Sequence, residues 1–308
     1  MGASITLKEV AKMYDKHMLL ANLSFGIKKG SNFIIIGKNG SGKSTILKII
    51  AGIVEIDSGI VYIDGKDINT RPIEVKNNLG YSPQIPSLDS NLTLFENLVF
   101  YGHIYGMDKD EVENSVVNWF DFFNISKCMH RYPSKVSFGI HKIVSFIRSI
   151  IHKPNILILD EPTMGLEPEQ KLKVWEVLDR FFNDKTILFT SQDFVEAEKY
   201  ADQIALLHNG NINMIGSLDK LIQTTQGITK YSLLLDSLPS EQFIKQIQSM
   251  KRIIRPKLSG LELEFYTKEK KDFYNVLRLA IEIGLKDVSV DSSTLRDIFV
   301  SYINDENN

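Results

Sequence analysis

The stretch GKNGSGKST, residues 37 to 45, follows the apolar run FIII of residues 33 to 36 and leads into ILKII. A strand, a glycine-rich turn and a helix opening at Lys-Ser-Thr make a shape for holding phosphate. The spacing G-x-x-x-x-G-K-[ST] is met at Gly37, Gly42, Lys43 and Ser44, with Lys38, Asn39, Gly40 and Ser41 forming the turn. Glycines let the N–H groups of residues 39 to 45 wrap phosphate oxygens, and the helix behind turns its positive N-terminus toward them. In such a loop Lys43 reaches the β- and γ-phosphates, Ser44 ligates magnesium and Thr45 supports the α-phosphate. An ordinary flexible Gly/Ser turn would not account for the strand before it and the apolar helix after it.

A second element, ILILDEP at residues 156 to 162, ends an apolar strand with two carboxylates. Phosphate-binding sheets place their ligands at that end of the strand. Asp160 is placed to hold the magnesium shell and Glu161 to polarise an attacking water. Taken alone, Glu161 before Pro162 reads as a helix-initiating acid; the phosphate loop makes that the weaker reading.

These residues need a scaffold, and residues 1 to 220 supply one by alternating strand-like and helical stretches, the pattern of an α/β domain around a substantially parallel sheet. The candidate strands are SITLKEV, NLSFGIKK, NFIIIG, LGYSP, ILILDE, TILFTS and QIALLH. Asn209-Gly210 between QIALLH and NINMIG signals a hairpin that closes the domain. Residues 107 to 153 read as mostly helical, so a helical subdomain is expected over about 90 to 153. From 221 to 308 a new cycle of strands and helices predicts a small α+β domain, ending in a helix from Ser292 with Leu295, Phe299 and Ile303 on one side.

Composition bounds the rest. The 308 residues are 43% hydrophobic, enough for a sizeable core, and the formal net charge of -2 gives no global nucleic-acid footprint. The single cysteine, Cys128, excludes an internal disulfide framework and fits a reducing cytoplasm. No run reads as a membrane span: IVSFIRSIIHKPN is interrupted by Arg148, His152, Lys153 and Pro154. MGASIT matches a loose myristoylation pattern at Gly2 and Thr6, yet residues 4 to 10 already read as a strand.

Over residues 4 to 220, the order and spacing of these motifs resemble the ATP-binding subunits of ABC transporters. The resemblance implies a P-loop ABC ATPase fold with an inserted helical subdomain, and ATP and Mg2+ as ligands. By the same resemblance Tyr14 stacks on adenine, although as a residue alone it also reads as a core aromatic. Gln84, in YSPQ, senses magnesium and touches a membrane subunit, so the implied metal set is Ser44, Gln84 and Asp160. The family's signature, close to Leu-Ser-Gly-Gly-Gln, aligns with VSFGI at 136 to 140. Ser137 and Gly139 remain, while Phe138 and Ile140 depart; Arg148 stands in its expected place in the helix that follows. Ser137 would face the γ-phosphate held by an opposite subunit, and a backbone open to glycine is expected to be closed to Phe138. Gln192 replaces a switch histidine and can donate a hydrogen bond without carrying an imidazolium charge. Glu167 stands where the D-loop usually has Asp.

The resemblance therefore implies an ATPase, slowed by Phe138, Ile140 and Gln192, with Glu161 as its base. Two ATP molecules would close a dimer, either of two copies or with a less divergent homologue, and separate membrane permeases would convert closure into transport. Such a subunit would sit on the cytoplasmic face of the membrane. LTLFENLVFYGHIYGM at 92 to 107 and SSTLRDIFVSYI at 292 to 303 resemble subunits of bacterial exporters of drugs, peptides or polysaccharide, leaning toward export of an antimicrobial or amphipathic peptide. The rivals are a soluble ABC ATPase acting on DNA, ribosomes or cofactor assembly, and a slow or nonhydrolytic nucleotide sensor. Neither a long heptad insertion nor a tandem ATP domain supports the first rival; Glu161 opposes the second.

Overall fold

The computed structural model describes residues 3–224, 229–267, 269–291 and 294–299. They divide into two compact units, Met1–Ser217 and Leu218–Asn308.

The first unit begins with β1 (Ala3–Tyr14), β2 (His17–Lys28), β3 (Asn32–Gly37) and α1 (Lys43–Ile50). Next come β4 (Ser58–Ile63), β5 (Lys66–Asp67), α2 (Pro72–Lys76) and β6 (Leu79–Ser82). Helices α3 (Leu94–Ile104), α4 (Lys109–Phe122) and α5 (Phe138–Ile150) precede β7 (Ile156–Leu159). The unit ends with α6 (Pro168–Phe181), β8 (Thr186–Thr190), α7 (Phe194–Tyr200), β9 (Gln203–His208) and β10 (Asn211–Gly216).

Two sheets result. The larger has the order β10-β9-β3-β8-β7-β6 and is parallel except for β10, which returns from β9 through Asn209-Gly210, both at positive φ. Strands β7 and β8 are buried at every position, as expected of parallel strands covered on both faces. The smaller sheet, β2-β1-β4-β5, is antiparallel. SITLKEV and NLSFGIKK thus belong to this second sheet and not to the parallel one. Along β2, Leu20, Leu23, Phe25 and Ile27 face inward while intervening positions are more exposed, the period of a half-buried strand. One core joins Leu7 and Phe25 of this sheet, Ile46 and Ile50 of α1, and Phe33 and Ile158 of the parallel sheet.

The strand order decides the chemistry. Neighbours β3, β8, β7 and β6 run in one direction, so their carboxyl ends share one edge. The chain leaves β3 into residues 37–45, β8 into Ser191-Gln192, β7 into Asp160-Glu161 and β6 into Pro83-Gln84. At about 4.8 Å between neighbouring strands, four distant stretches of sequence meet at that edge. Helices α3, α4 and α5 lie between β6 and β7 in the chain, with Val112, Val116 and Phe120 buried at i, i+4, i+8.

The second unit holds α8 (Leu218–Thr224), β11 (Thr229–Leu235), α9 (Glu241–Ser249), β12 (Ile254–Ser259), β13 (Glu262–Thr267), α10 (Lys270–Ile283) and β14 (Leu285–Asp291). The succession β11-α9-β12-β13-α10-β14 with sheet order β12-β13-β11-β14 is a split βαββαβ arrangement. Leu233, Phe265, Ile247 and Val276 fill its own core. Leu295 and Phe299 are buried in a helical turn over 295–299, whereas Gly2 and Ile303 lie outside the described residues.

Candidate active site

The turn after β3 is shaped by its glycines. Gly42 has φ 105°, in the left-handed region, and a Cβ there would meet a Leu20 methyl at 2.6 Å. A Cβ at Gly37 would lie 2.5 Å from the Leu207 carbonyl oxygen. Gly42 caps α1 without a side chain, which leaves the first-turn N–H groups of the helix open to an anion. The Lys43 ammonium is folded back, donating to the carbonyls of Gly37 at 2.7 Å and Lys38 at 3.1 Å. Burial lowers its pKa, opposed by the carboxylates of Glu161 and Asp160.

Asp160 and Glu161 do different things. Asp160 is buried, and its Oδ1 accepts from Thr190 Oγ1 at 2.7 Å. The same Thr190 oxygen accepts from the Glu161 N–H at 2.9 Å. Glu161 is only 5% exposed and sits at φ 49°, a costly conformation for a residue with a Cβ and one that clusters at active sites. Its Oε2 accepts from the Gln192 N–H at 3.3 Å, whereas Oε1 is buried with no partner among the described residues. Burial raises the Glu161 pKa, against hydrogen bonds from Gln192 and the charge of Lys43, with Asp160 adding to the rise.

Lys43, Ser44, Thr45, Asn39, Gly40, Gly42, Gln84, Glu161, Gln192 and Leu19 line one cleft of about 410 Å3. Most of the residues picked from the sequence thus converge. Gly37, Lys38, Ser41 and Asp160 lie outside that lining. Gln84 points its amide at the Met164 sulfur, 3.7 Å away. Tyr14 is 46% exposed, which removes the core-aromatic reading; it lies outside the cleft lining, under the Lys12 ammonium at 5.3 Å from its ring centre.

Ser137, Phe138 and Gly139 stand apart from the cleft at the N-terminus of α5. Ser137 Oγ accepts from the Ile140 N–H at 3.5 Å and caps the helix. Phe138 is the first helical residue and is not in the left-handed region, so the expected backbone conflict does not arise. What differs from a glycine is the ring, 44% exposed and laid against Gly165, where a Cβ would come within 2.8 Å of it. Glu167 caps α6 in a reciprocal box with Gln170. Arg148 donates to the Ser87 carbonyl and packs over the Tyr101 ring at 4.7 Å.

Two residues here were not singled out by sequence. Thr190 joins the carboxylate pair, and its only signal is a hydroxyl at the end of an apolar strand. Lys142 is fully buried in α5 and donates to the carbonyls of Pro83, Gln84 and Asp160. Burial pulls its pKa down to about 8, against the pull of Asp160 and Glu161. A lysine amid the apolar positions of an otherwise buried helix was the available signal.

No cluster of three His, Cys, Asp or Glu side chains suited to a metal occurs among the described residues. The donors present, a hydroxyl at Ser44, an amide at Gln84 and a carboxylate at Asp160, are oxygen donors that suit magnesium. That ion is held through one or two carboxylates with substrate phosphates and needs no all-protein cage. The donor set therefore fits Mg2+ arriving with a nucleoside polyphosphate.

A family model described as "ABC transporter" matches residues 20–164. The chain is 30% identical over 226 residues to the Nod factor export ATP-binding protein I of Burkholderia thailandensis, covering 73% of this chain and 74% of that protein. It is 29% identical over 258 residues to the linearmycin resistance ATP-binding protein LnrL of Bacillus subtilis, covering 83% of each. Among solved structures, an ATP-binding subunit of an ABC transporter superposes with a TM-score of 0.68 at 27% identity, covering 72% of this chain and 92% of that one. A dimeric bacterial ABC transporter cassette gives 0.65 at 25% identity, covering 70% and 98%.

Proposed function

Since the chain belongs to the ATP-binding subunits of ABC transporters and carries an ABC-type ATPase domain, we propose that it powers export through separate membrane permeases by ATP-dependent closure of a dimer. The observation that carries the ATPase part is the unpartnered Glu161 Oε1, buried in the same cleft as Lys43 and the open N-terminus of α1. A buried carboxylate oxygen without a donor has a cost, and a water placed for attack would relieve it.

In this reading Lys43 leaves its carbonyl partners to neutralise the β- and γ-phosphates of ATP, and N–H groups of the turn and first helical turn hold the remaining oxygens. Glu161 Oε1 orients the attacking water and takes its proton. Gln192 steadies the other oxygen of Glu161 and offers the γ-phosphate an amide. Mg2+, held by Ser44, Asp160 and Gln84, would offset charge on the β- and γ-phosphate oxygens. Tyr14 meets the adenine from outside the cleft lining. Ser137, at the exposed end of α5, serves the nucleotide of a second ATP-binding subunit, a copy of this chain or a homologue. With Phe138 and Ile140 in the signature and an uncharged Gln192, turnover is slow.

Export rests on relatives named for export and resistance, and the cargo this reading proposes is an antimicrobial or amphipathic peptide. In this reading the permeases are separate chains and the subunit docks at the cytoplasmic face of the membrane; no helix among the described residues is long and apolar enough to cross a membrane. Affinity purification from detergent-solubilised membranes tests this: an integral membrane protein should accompany the chain, and its ATPase should vanish in Lys43→Ala. A chain that hydrolyses ATP yet leaves the membrane without such a partner would instead be a soluble ABC ATPase.

A further inference from the structure

We infer that Lys142 is a positioning residue for ATP hydrolysis, a clamp that fixes the Gln84 and Asp160-Glu161 backbones to each other and to α5. The inference rests on the ATPase reading above. Lys142 is 0% exposed. An ammonium has three N–H donors, and here each has a backbone carbonyl: Pro83 at 3.0 Å, Gln84 at 2.9 Å and Asp160 at 3.1 Å. Burying a charge in an apolar helix is costly unless it is fully hydrogen-bonded, and an apolar side chain would fill the space without that cost.

The choice of carbonyls gives the clamp its effect. Those of Pro83 and Gln84 belong to the peptides on either side of the Gln84 Cα, so holding both fixes where the Gln84 side chain starts. The Asp160 carbonyl belongs to the peptide joining the two carboxylates. Its N–H end, on Glu161, is already held by Thr190 Oγ1 at 2.9 Å. That peptide is gripped at both ends, and the grip keeps Glu161 at φ 49° with Oε1 in the cleft. On the same helix, Ser137 lies five residues earlier, about 7.5 Å along the axis at 1.5 Å per residue. A displacement of α5 is thereby passed to the residues that face phosphate and water.

The test uses the purified full-length chain with ATP and Mg2+ as probes. Lys142→Met keeps the length and loses the donors. Its kcat should fall between about tenfold and the roughly hundredfold that a one-ångström misplacement costs. The Mg2+ concentration for half-maximal rate should rise severalfold. Binding of ATP without Mg2+ should stay within about twofold of wild type, since a misplaced metal donor does not touch it. A folded Met variant with wild-type kcat and Mg2+ dependence overturns the inference; so does one in which Mg2+-free ATP binding falls in step with kcat, which would mark a general packing loss. If Lys142→Met shows no cooperative melt, Lys142→Gln, which retains two N–H donors, is read by the same criteria. A wild-type chain that binds no ATP overturns the nucleotide reading itself, and this inference with it.

Discussion

Glu161 combines a left-handed backbone, near-complete burial and an oxygen with no donor, so its protonation state should govern the rate. Burial raises its pKa, and a base must be ionised to work, so the acid limb of kcat should lie above the usual carboxylate value of about 4.3. The linkage to stability has the opposite sense. With a raised folded-state pKa, the folded chain binds this proton more tightly than the unfolded chain. The stabilisation is present below the unfolded value and is lost as pH rises through the folded one. Activity should therefore disappear on acidification before Glu161 causes any unfolding, as a pH–rate profile and melts over the same range would reveal. Glu161→Gln should abolish turnover and trap ATP; survival of the wild-type rate and acid limb would assign the base elsewhere. Gln192, whose N–H donates to Glu161 Oε2, offers a second test. Gln192→His adds a chargeable group where negative charge grows on the γ-phosphate, so kcat of the membrane complex should rise severalfold with little change in ATP affinity. An unchanged rate would move the brake to Phe138 or Ile140.

Between elements, the critical joint is β7 against β8. Thr190, at the end of β8, is buried and bridges the Asp160 carboxylate and the Glu161 N–H across the strand pair. Thr190→Val preserves shape and leaves that N–H buried without an acceptor, which costs about 1–3 kcal/mol. Urea unfolding should show the loss together with a lower kcat, and Thr190→Ser should recover most of both. Equal stability of the Val variant and wild type would mean that another acceptor serves the N–H. The joint at α5 is of a different kind. Ser137 is occupied as a helix cap, while the Phe138 ring rests on Gly165, so the start of α5 packs against its own chain and needs no unusual backbone.

For the molecule as a whole, the two units have separate cores: α1 with both sheets in the first, and the βαββαβ layer in the second. Each of these clusters draws its residues from one unit, so each unit should unfold cooperatively when expressed alone. Residues 1–217 should retain ATP binding and residues 218–308 should have none. Calorimetry and nucleotide titration of the two fragments check this, and a first fragment that folds but cannot bind ATP would show that the site needs the second unit.

The phosphate loop, the carboxylate strand and the hairpin at Asn209-Gly210 were legible in the sequence because each is local. Backbone conformation, helix start and turn type there depend on residues within a few positions, and the positive φ at 42 calls for glycine whatever packs against it. That Gln84 and Gln192 would line the cleft was legible only by resemblance, since nothing in their own neighbourhoods points to phosphate. The assignment of SITLKEV and NLSFGIKK to a second, antiparallel sheet was not legible, because a half-buried strand carries the same alternation whichever sheet it joins. The roles of Thr190 and Lys142 were hidden for a related reason. Their partners are 29 and 30, or 18, 58 and 59, positions away, and only the strand order β3-β8-β7-β6 and the packing of α5 bring them within hydrogen-bonding distance.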